Sequence, residues 1–244
     1  MGVRLRSADG PFLWSARRRY APFVARGGDL VVDLATSPRP LRARADEPVL
    51  RGRGRYERHD FGLEMGRGRA RAEVLRRPAA LDGMLRVLLG AELVRRGGFL
   101  CHAAAVDGRL FPGRSGAGKS TLGRKAPRDR LLADELVGVL GGSLHSTPFW
   151  GDFRPGRQNG SRRLEGIFLL DRRAPRGVRP VSKPEALVRL LECALCFQDG
   201  REAAERVLRA ARSCVEAAPA FVLSYDARRT TFRELESSLE EASG

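Results

Sequence analysis

The sequence predicts an α/β fold in its second part and a β-rich region before it. After residue 98, short apolar runs typical of strands alternate with segments of helical apolar spacing. In the first 75 residues, short apolar runs are separated by turns rich in glycine and arginine. A glycine-rich stretch at residues 113–118 lies between an apolar strand and a helix. These observations favour helices packed on a sheet, with the strand–loop–helix unit near the middle of the chain.

Composition bounds the class of protein. The chain has 244 residues, enough for one ordinary domain with a modest extension and a sizeable buried core. Its 42% hydrophobic and 30% charged residues exclude a disordered protein. No apolar run approaches the ~20 residues that cross a bilayer. The first 14 residues lack the charged-then-apolar pattern of a secretory signal. We therefore expect a cytoplasmic protein with no membrane partner.

The net charge of +16 first suggests a nucleic-acid partner. Only three of the 45 basic residues are lysines, and the arginines are spread along the whole chain. Aromatic residues make up 7%, too few for a surface on which bases stack. Nucleic-acid binding is therefore not expected as the main function. The sequence leaves the oligomeric state open, and a homo-oligomer is one possibility.

Residues 1–97 form the predicted β-rich N-terminal region, which ends in a helix. Residues 30–34 and 70–75 are predicted strands because short β-branched and apolar runs lie between turn residues. Residues 79–96 carry apolar side chains at helical spacing, and Gly97 and Gly98 end that helix.

Residues 98–244 form the second predicted domain. Its predicted strands are 99–106, 109–112, 131–133, 137–140, 166–170 and 221–225, and its predicted helices are 183–197, 202–215 and 231–242. Asp107 and Gly108 make a tight turn between the first two strands. Ser182 begins the first of these helices as part of a capping box with Glu185. Cys193 and Cys196 share a face of that helix, and no second pair with metal-ligand spacing follows, so we expect both to pack as buried thiols.

One motif in the second domain carries a specific chemistry. Residues 113–120, Gly-Arg-Ser-Gly-Ala-Gly-Lys-Ser, match the phosphate-binding pattern G-x-x-x-x-G-K-[ST] in full. The glycines let backbone N–H groups converge on phosphate oxygens, at the positive end of the helix that follows. Lys119 is expected to reach the β- and γ-phosphates, and the Ser120 hydroxyl to ligate Mg²⁺. The candidate nucleotide-binding residues are Gly113, Arg114, Ser115, Gly116, Ala117, Gly118, Lys119, Ser120 and Thr121.

An acidic pair follows at a short distance. Asp134 and Glu135 follow the apolar run 131–133, and Asp134 stands 14 positions after Ser120. That spacing leaves room for a short helix and a turn, which returns the carboxylates toward the phosphate loop. Two carboxylates there suit a bound Mg²⁺, and one of them suits the removal of a proton from a hydroxyl. A solvated acidic turn is the alternative interpretation.

Three segments together resemble a known family. Residues 100–108 (Leu-Cys-His-Ala-Ala-Ala-Val-Asp-Gly), the phosphate motif, and residues 131–135 (Leu-Leu-Ala-Asp-Glu) look like the catalytic domain of HPr kinase/phosphorylase. The likeness is strongest to the shorter HPr-kinase-like proteins and more distant to ATP-dependent phosphoenolpyruvate carboxykinase. It covers about residues 98–140. Residues 1–97 do not resemble the N-terminal domain of full-length HPr kinases, and the chain is short for a carboxykinase.

The resemblance implies an ATP- and Mg²⁺-dependent kinase with a P-loop core on a mixed sheet. It implies transfer of the γ-phosphoryl group to a hydroxyl, with a serine of a protein or peptide as the expected acceptor. By that resemblance His102 lies near the reacting phosphate, Asp134 is the first carboxylate, and Glu135 stands where the family has aspartate. The catalytic candidates are thus Asp134, His102, Lys119 and Glu135, and the metal candidates are Ser120, Asp134 and Glu135. Taken alone, His102 would more often be a histidine of the core.

Two alternatives stay open. The same motif would serve a non-catalytic P-loop module whose partner contacts change with the bound phosphate. Separately, residues 147–157 form a proline- and glycine-broken loop with aromatic residues and two arginines, Arg154 and Arg157. Such a loop is expected either to lie over a nucleotide and neutralise charge there, or to be an ordinary surface loop.

Overall fold

The computed structural model of the chain describes residues 2–41, 49–50, 52, 54–149, 151 and 159–243. Contacts between Cα atoms divide the chain into two compact units. Unit 1 comprises Met1–Glu92 and Phe197–Gly200, and unit 2 comprises Leu93–Cys196 and Arg201–Gly244. Among the described residues, no helix combines the length and the apolar character needed to span a bilayer.

Unit 1 is built on a six-stranded sheet, with one α-helix after its first strand and another after its last. Its elements are β1 (Val3–Arg6), α1 (Gly10–Arg19), a single 3₁₀ turn (Ala21–Phe23), β2 (Leu30–Ser37), β3 (Val49–Leu50), β4 (Arg55–Glu57), β5 (Phe61–Met65), β6 (Arg69–Leu75) and α2 (Pro78–Arg95). The strand order is β1-β2-β6-β5-β4-β3, with β1, β2 and β6 parallel and the others antiparallel.

The strands of unit 1 alternate buried and exposed residues, so one sheet face is packed and the other carries the charges. Asp9 caps α1 by accepting a hydrogen bond from the Phe12 N–H at 3.0 Å. The packed face meets the apolar side of α2 in a cluster that includes Val32, Tyr56, Phe61, Val74, Leu81, Met84 and Leu88. The predicted β-rich character holds for these residues, and the early helix α1 was missed.

Unit 2 holds the second sheet and the remaining helices. Its elements are β7 (Phe99–Val106), β8 (Arg109–Pro112), α3 (Lys119–Lys125), β9 (Leu131–Ala133), β10 (Leu136–Leu140), β11 (Ser143–His145), β12 (Ser161–Arg163), β13 (Gly166–Leu170), β14 (Gly177–Pro180), α4 (Lys183–Leu191), β15 (Ala194–Leu195), α5 (Arg201–Ala217), β16 (Ala220–Ser224) and α6 (Phe232–Ser243). The predicted strands and helices of this part correspond to elements of the structure, with one exception in α4.

Within the described residues the sheet of unit 2 has ten strands in the order β12-β11-β10-β7-β8-β13-β16-β14, and β9 and β15 also pair with β7. Strands β8, β13 and β16 are parallel, while β7 is antiparallel to its neighbours. Helices cover both faces, since α4 and α5 contribute to one buried cluster and α3 and α6 to another. The predicted α/β class with a mixed sheet is therefore confirmed.

The predicted helix 183–197 is too long. Ser182 caps α4 as expected, accepting a hydrogen bond from the Glu185 N–H at 3.4 Å, but the helix ends at Leu191. Strand β8 pairs only with residues 103–106 of β7, which leaves the backbone groups of residues 100–102 on that side to another partner. Ala194 and Leu195 pair there, and the Cys193 carbonyl accepts from the His102 N–H at 2.7 Å. Satisfying these backbone groups outweighs continuation of the helix.

The expected burial is confirmed for Cys193 and wrong for Cys196, and the helix that both were expected to share does not extend to them. Neither residue lies in a helix, and although Cys193 is buried, Cys196 is exposed. The i and i+3 relation that placed both thiols on one buried face requires helical geometry. Residues 192 and 193 form a turn and residues 194 and 195 a short strand, so the two side chains do not share a helical face.

Candidate functional site

The β7–β8 hairpin sets the register of the site. Asp107 and Gly108 form its turn with φ values of 45° and 76°, the left-handed conformation that tight two-residue hairpins require. Ala103 pairs with Pro112, and the Gly113 N–H donates to the His102 carbonyl at 3.4 Å. His102 therefore lies beside the residue at which the glycine-rich stretch begins.

The glycine-rich stretch connects β8 to α3. Gly116 and Gly118 have φ values of 79° and 112°, which residues with a Cβ rarely adopt. The Lys119 side chain is only 5% exposed, and its ammonium donates to the carbonyls of Gly113 at 2.8 Å and Arg114 at 3.0 Å. Burial lowers the pKa of Lys119 below its usual value, although nearby Glu135 opposes that shift. The chain thus folds around a desolvated cation.

The other residues of the stretch differ in accessibility. Gly113 and Gly118 are buried, Ala117, Ser120 and Thr121 are partly buried, and Ser115 and Gly116 are exposed. The Arg114 side chain is 76% exposed and forms an ion pair with Glu192 at 3.0 Å. The tip of the loop is therefore open to solvent while its two ends are fixed in the sheet and the helix.

Asp134 lies between β9 and β10, which pair with the same side of β7. It is 2% exposed, and its Cβ lies 3.3 Å from the position of a Cβ built on Gly123 of α3. Its Oδ2 atom is buried and has no hydrogen-bond partner in the described part of the chain. Burial, and then the charge of Glu135, raise the pKa of Asp134 to about 7. A carboxylate in this position is costly unless a cation or a proton neutralises it.

Glu135 faces His102 and Ser120. The Ala103 N–H donates to the Glu135 carbonyl at 3.2 Å, which fixes the acidic pair at the level where β8 ends. Glu135 Oε2 is 3.9 Å from His102 Nε2. A Cβ built on Gly151 would lie 2.9 Å from Glu135 Oε2 and 3.9 Å from Ser120 Oγ, so the carboxylate and the hydroxyl border the same space.

The structure thus brings together all the predicted catalytic and metal residues. His102 lies within β7, Asp134 and Glu135 lie in the connection from β9 to β10, and Lys119 and Ser120 begin α3. Part of the 147–157 loop also approaches them, since Gly151 lies beside Glu135 and the Thr147 hydroxyl donates to the Leu136 carbonyl at 2.6 Å. Arg154 and Arg157 lie outside the described residues.

The oxygen donors fit Mg²⁺. The described residues contain no cluster of three or more histidine, cysteine, aspartate or glutamate side chains suited to a metal ion. Mg²⁺ does not need such a cluster, because proteins hold it with one or two carboxylates while waters and substrate phosphates complete the shell. Ser120, Asp134 and Glu135 supply that set, and the unpartnered Oδ2 of Asp134 is an atom that a cation would satisfy.

A second wall of the site was missed in the sequence. Strands β8, β13 and β16 are adjacent and parallel, so their carboxyl ends lie at one edge of the sheet. Arg172 follows β13 closely and Tyr225 follows β16 directly. The Tyr225 hydroxyl donates to the Gly118 carbonyl at 3.0 Å, and Arg172 Nε lies 3.9 Å from a Cβ built on Gly118. The apolar runs 166–170 and 221–225 were predicted as strands. The polar residues at their carboxyl ends were the signal in the sequence that could have revealed this wall.

A cleft of about 400 Å³ lies between this wall and the glycine-rich loop. It is lined by the loop residues 112–117, by residues 169–173 after β13, and by Arg189, Glu192 and Cys193. The chain matches no family model and no curated protein. We therefore infer a function from the geometry of these residues.

Proposed function

We propose that this chain is an ATP- and Mg²⁺-dependent kinase with an HPr-kinase-like P-loop core. In this proposal it transfers the γ-phosphoryl group to a hydroxyl, with a serine of a protein or peptide as the acceptor. The observation that carries the proposal is the buried, unpartnered Oδ2 of Asp134, packed on the helix that begins with Lys119 and Ser120.

An isolated buried carboxylate lowers the stability of a fold, so its presence calls for a function. Two functions suit Asp134: holding a cation, and accepting a proton. The pKa of Asp134, about 7, lies in the range in which a general base works best near neutral pH. Both roles need the carboxylate beside phosphate-binding groups, and Lys119 and Ser120 are such groups.

The other residues have complementary roles. The backbone N–H groups of residues 113–118 and the Lys119 ammonium would hold the β- and γ-phosphates. When bound, Mg²⁺ would supply further neutralisation of phosphate charge, held by Ser120 Oγ and the carboxylates of Asp134 and Glu135. His102, 3.9 Å from Glu135, would orient that carboxylate or donate to a phosphate oxygen.

In the proposed step Asp134 takes the proton of the acceptor hydroxyl. The acceptor oxygen forms a bond to the γ-phosphorus, and the bond from that phosphorus to the β–γ bridging oxygen breaks. Lys119 stays beside the bridging and γ-oxygens and balances the charge that ADP retains. Asp134 then releases its proton to solvent, which returns the site to its starting state.

Nucleotide binding is tested by titrating Mg·ATP calorimetrically into the unmodified chain and into Lys119→Ala and Lys119→Arg. We expect both variants to lose most of their affinity, because a guanidinium does not fit the space of the ammonium. Lys183→Ala removes one of the two other lysines from an exposed position and serves as the matched control. Equal affinity in all four proteins would contradict the P-loop assignment.

Asp134→Asn separates an enzyme from a nucleotide-dependent switch. Release of phosphate from ATP, with water in place of the acceptor, provides a turnover assay. If Asp134 is the base, turnover falls by a factor of ~10²–10⁴ while most nucleotide affinity remains. If Asp134 chiefly holds the metal, turnover and affinity fall together and the Mg²⁺ dependence shifts. A chain that binds Mg·ATP and turns over equally slowly with either residue would be the non-catalytic module.

A further inference from the structure

The second wall of the cleft has a charge pattern of its own. Four arginines line the cleft, at positions 114, 172, 173 and 189. Two have acidic partners, since Arg114 pairs with Glu192 at 3.0 Å and Arg189 with Asp171 at 3.4 Å. Within the described residues, Arg172 has neither a hydrogen-bond nor an ion-pair partner. The cleft therefore contains a guanidinium group, that of Arg172, whose charge is not neutralised by an acidic side chain of the described residues.

Arg172 is also placed against the phosphate loop. Its Nε atom lies 3.9 Å from a Cβ position on Gly118, the residue whose carbonyl is fixed by the Tyr225 hydroxyl. Gly118 has a φ of 112°, so a glycine is needed there and its neighbours can approach the backbone closely. An exposed guanidinium at that distance reaches a ligand that lies on the loop.

The direction of the sheet indicates which ligand this is. Strand β8 leads into the loop, with β7 on one side and β13 on the other. The acidic pair lies on the β7 side and marks the end where the γ-phosphoryl group would transfer. Arg172 lies on the β13 side, toward which the rest of a bound nucleotide would extend.

We propose that Arg172 is a second cationic contact for the nucleotide, binding the α- or β-phosphate from outside the P-loop. This inference depends on the proposed function. The charge of a nucleoside triphosphate exceeds what one Mg²⁺ and Lys119 neutralise, and a guanidinium supplies a planar pair of donors for phosphate oxygens. Arg172 completes that charge balance without displacing an internal partner.

The test compares Arg172→Gln with Arg179→Gln. Arg179 lies on β14 in the same unit, is exposed, and does not line the cleft, so it is a matched control. We expect Arg172→Gln to weaken both Mg·ATP and Mg·ADP by about tenfold in calorimetric titrations, the scale of a charge-assisted hydrogen bond. Arg172→Lys should recover part of the affinity, and Arg179→Gln should match the unmodified chain within twofold.

The outcomes separate this inference from the proposed function. If Lys119→Ala loses Mg·ATP while Arg172→Gln binds like Arg179→Gln, the proposed function stands and the role of Arg172 is wrong. If Arg172→Gln weakens inorganic phosphate alone and leaves Mg·ADP unchanged, the contact belongs to a phosphate of the acceptor and the nucleotide assignment is overturned. If the unmodified chain binds no Mg·nucleotide, both proposals fail.

Discussion

Several charged side chains of unit 1 pair with one another, whereas two buried charges beside the glycine-rich loop of unit 2, Asp134 and Lys119, form no ion pair in the described part of the chain. Across the exposed face of the first sheet, residues of alternating charge are aligned on five strands: Arg6, Asp33, Arg71, Glu64 and Arg55. A deeper pair in unit 1 joins Arg58 to Asp60 through two hydrogen bonds, at 2.5 and 2.8 Å. In unit 2 the Oδ2 atom of buried Asp134 has no hydrogen-bond partner among the described residues, and the Lys119 ammonium donates to two backbone carbonyls.

The difference follows from what each arrangement does to the free energy of unfolding. Cross-strand pairs of opposite charge contribute small stabilising increments. An unpaired buried charge lowers the stability of the apo-protein and increases affinity for a ligand of opposite charge. We therefore infer that the paired charges of unit 1 stabilise the fold and that the buried charges around the loop of unit 2 serve to bind a ligand.

Breaking the deepest pair of unit 1 should have the largest effect on stability. Asp60 is 7% exposed, and its partner Arg58 also lies over the Phe61 ring at 4.9 Å. Asp60→Ala leaves a partly buried guanidinium without its carboxylate, and we expect a loss of about 2–4 kcal/mol in the free energy of unfolding. Urea denaturation measures it. A loss as small as that of an exposed pair would show that depth does not matter here.

Removing the charge of Asp134 should instead increase the free energy of unfolding of the metal-free protein. Because its pKa in the folded state is about 7, above that of an unfolded chain, folding favours the protonated form. Stability of the metal-free protein should therefore fall as pH rises from about 4 to about 7. We expect Asp134→Asn to be more stable at pH 8 by about 1–3 kcal/mol, with the gain shrinking toward pH 5.

Urea titrations in the presence of a chelator at both pH values measure this gain. Asp129→Asn, at an exposed position on the connection from α3 to β9, is the control and should leave stability unchanged. A destabilised Asp134→Asn at both pH values would mean that the carboxylate has a structural partner, and the contrast between the units would fail.

His102 sharpens the comparison within unit 2. Its Nε2 atom lies 3.9 Å from Glu135 Oε2, close enough to orient that carboxylate. We expect His102→Ala to reduce phosphate release from ATP by about tenfold while Mg·ATP affinity changes less than twofold. His102→Gln, which keeps a hydrogen-bond donor, should retain part of the activity. Equal losses of turnover and affinity would make His102 a residue of the core.

The smallest effect is expected on the exposed face of unit 1. Asp33 and Arg69 pair at 2.7 Å, with side chains 34% and 64% exposed. Asp33→Asn should lower the free energy of unfolding by less than about 1 kcal/mol, because solvent and salt screen such pairs. Urea denaturation at low and high salt measures it, and the difference between the two proteins should shrink at high salt.

Much of the fold is predictable from local patterns. The apolar runs and turn residues gave β7, β8 and the Asp107–Gly108 turn with their observed bounds, because strand alternation and turn chemistry depend on neighbouring residues. The same local argument failed for residues 192–197. Their apolar spacing is helical, but the free side of β7, distant in the chain, decides their conformation.

The sequence alone shows which residues form the loop motif: the glycines at 116 and 118, the lysine after them, and an acidic pair at a strand end. These are read from residues close together in the chain. Three features are visible only in the folded chain. Asp134 is buried with an oxygen that has no partner among the described residues, and His102 faces Glu135. Arg172 and Tyr225 border Gly118. Burial and cross-strand register depend on how distant segments pack, and that packing brings these groups close to the glycine-rich loop.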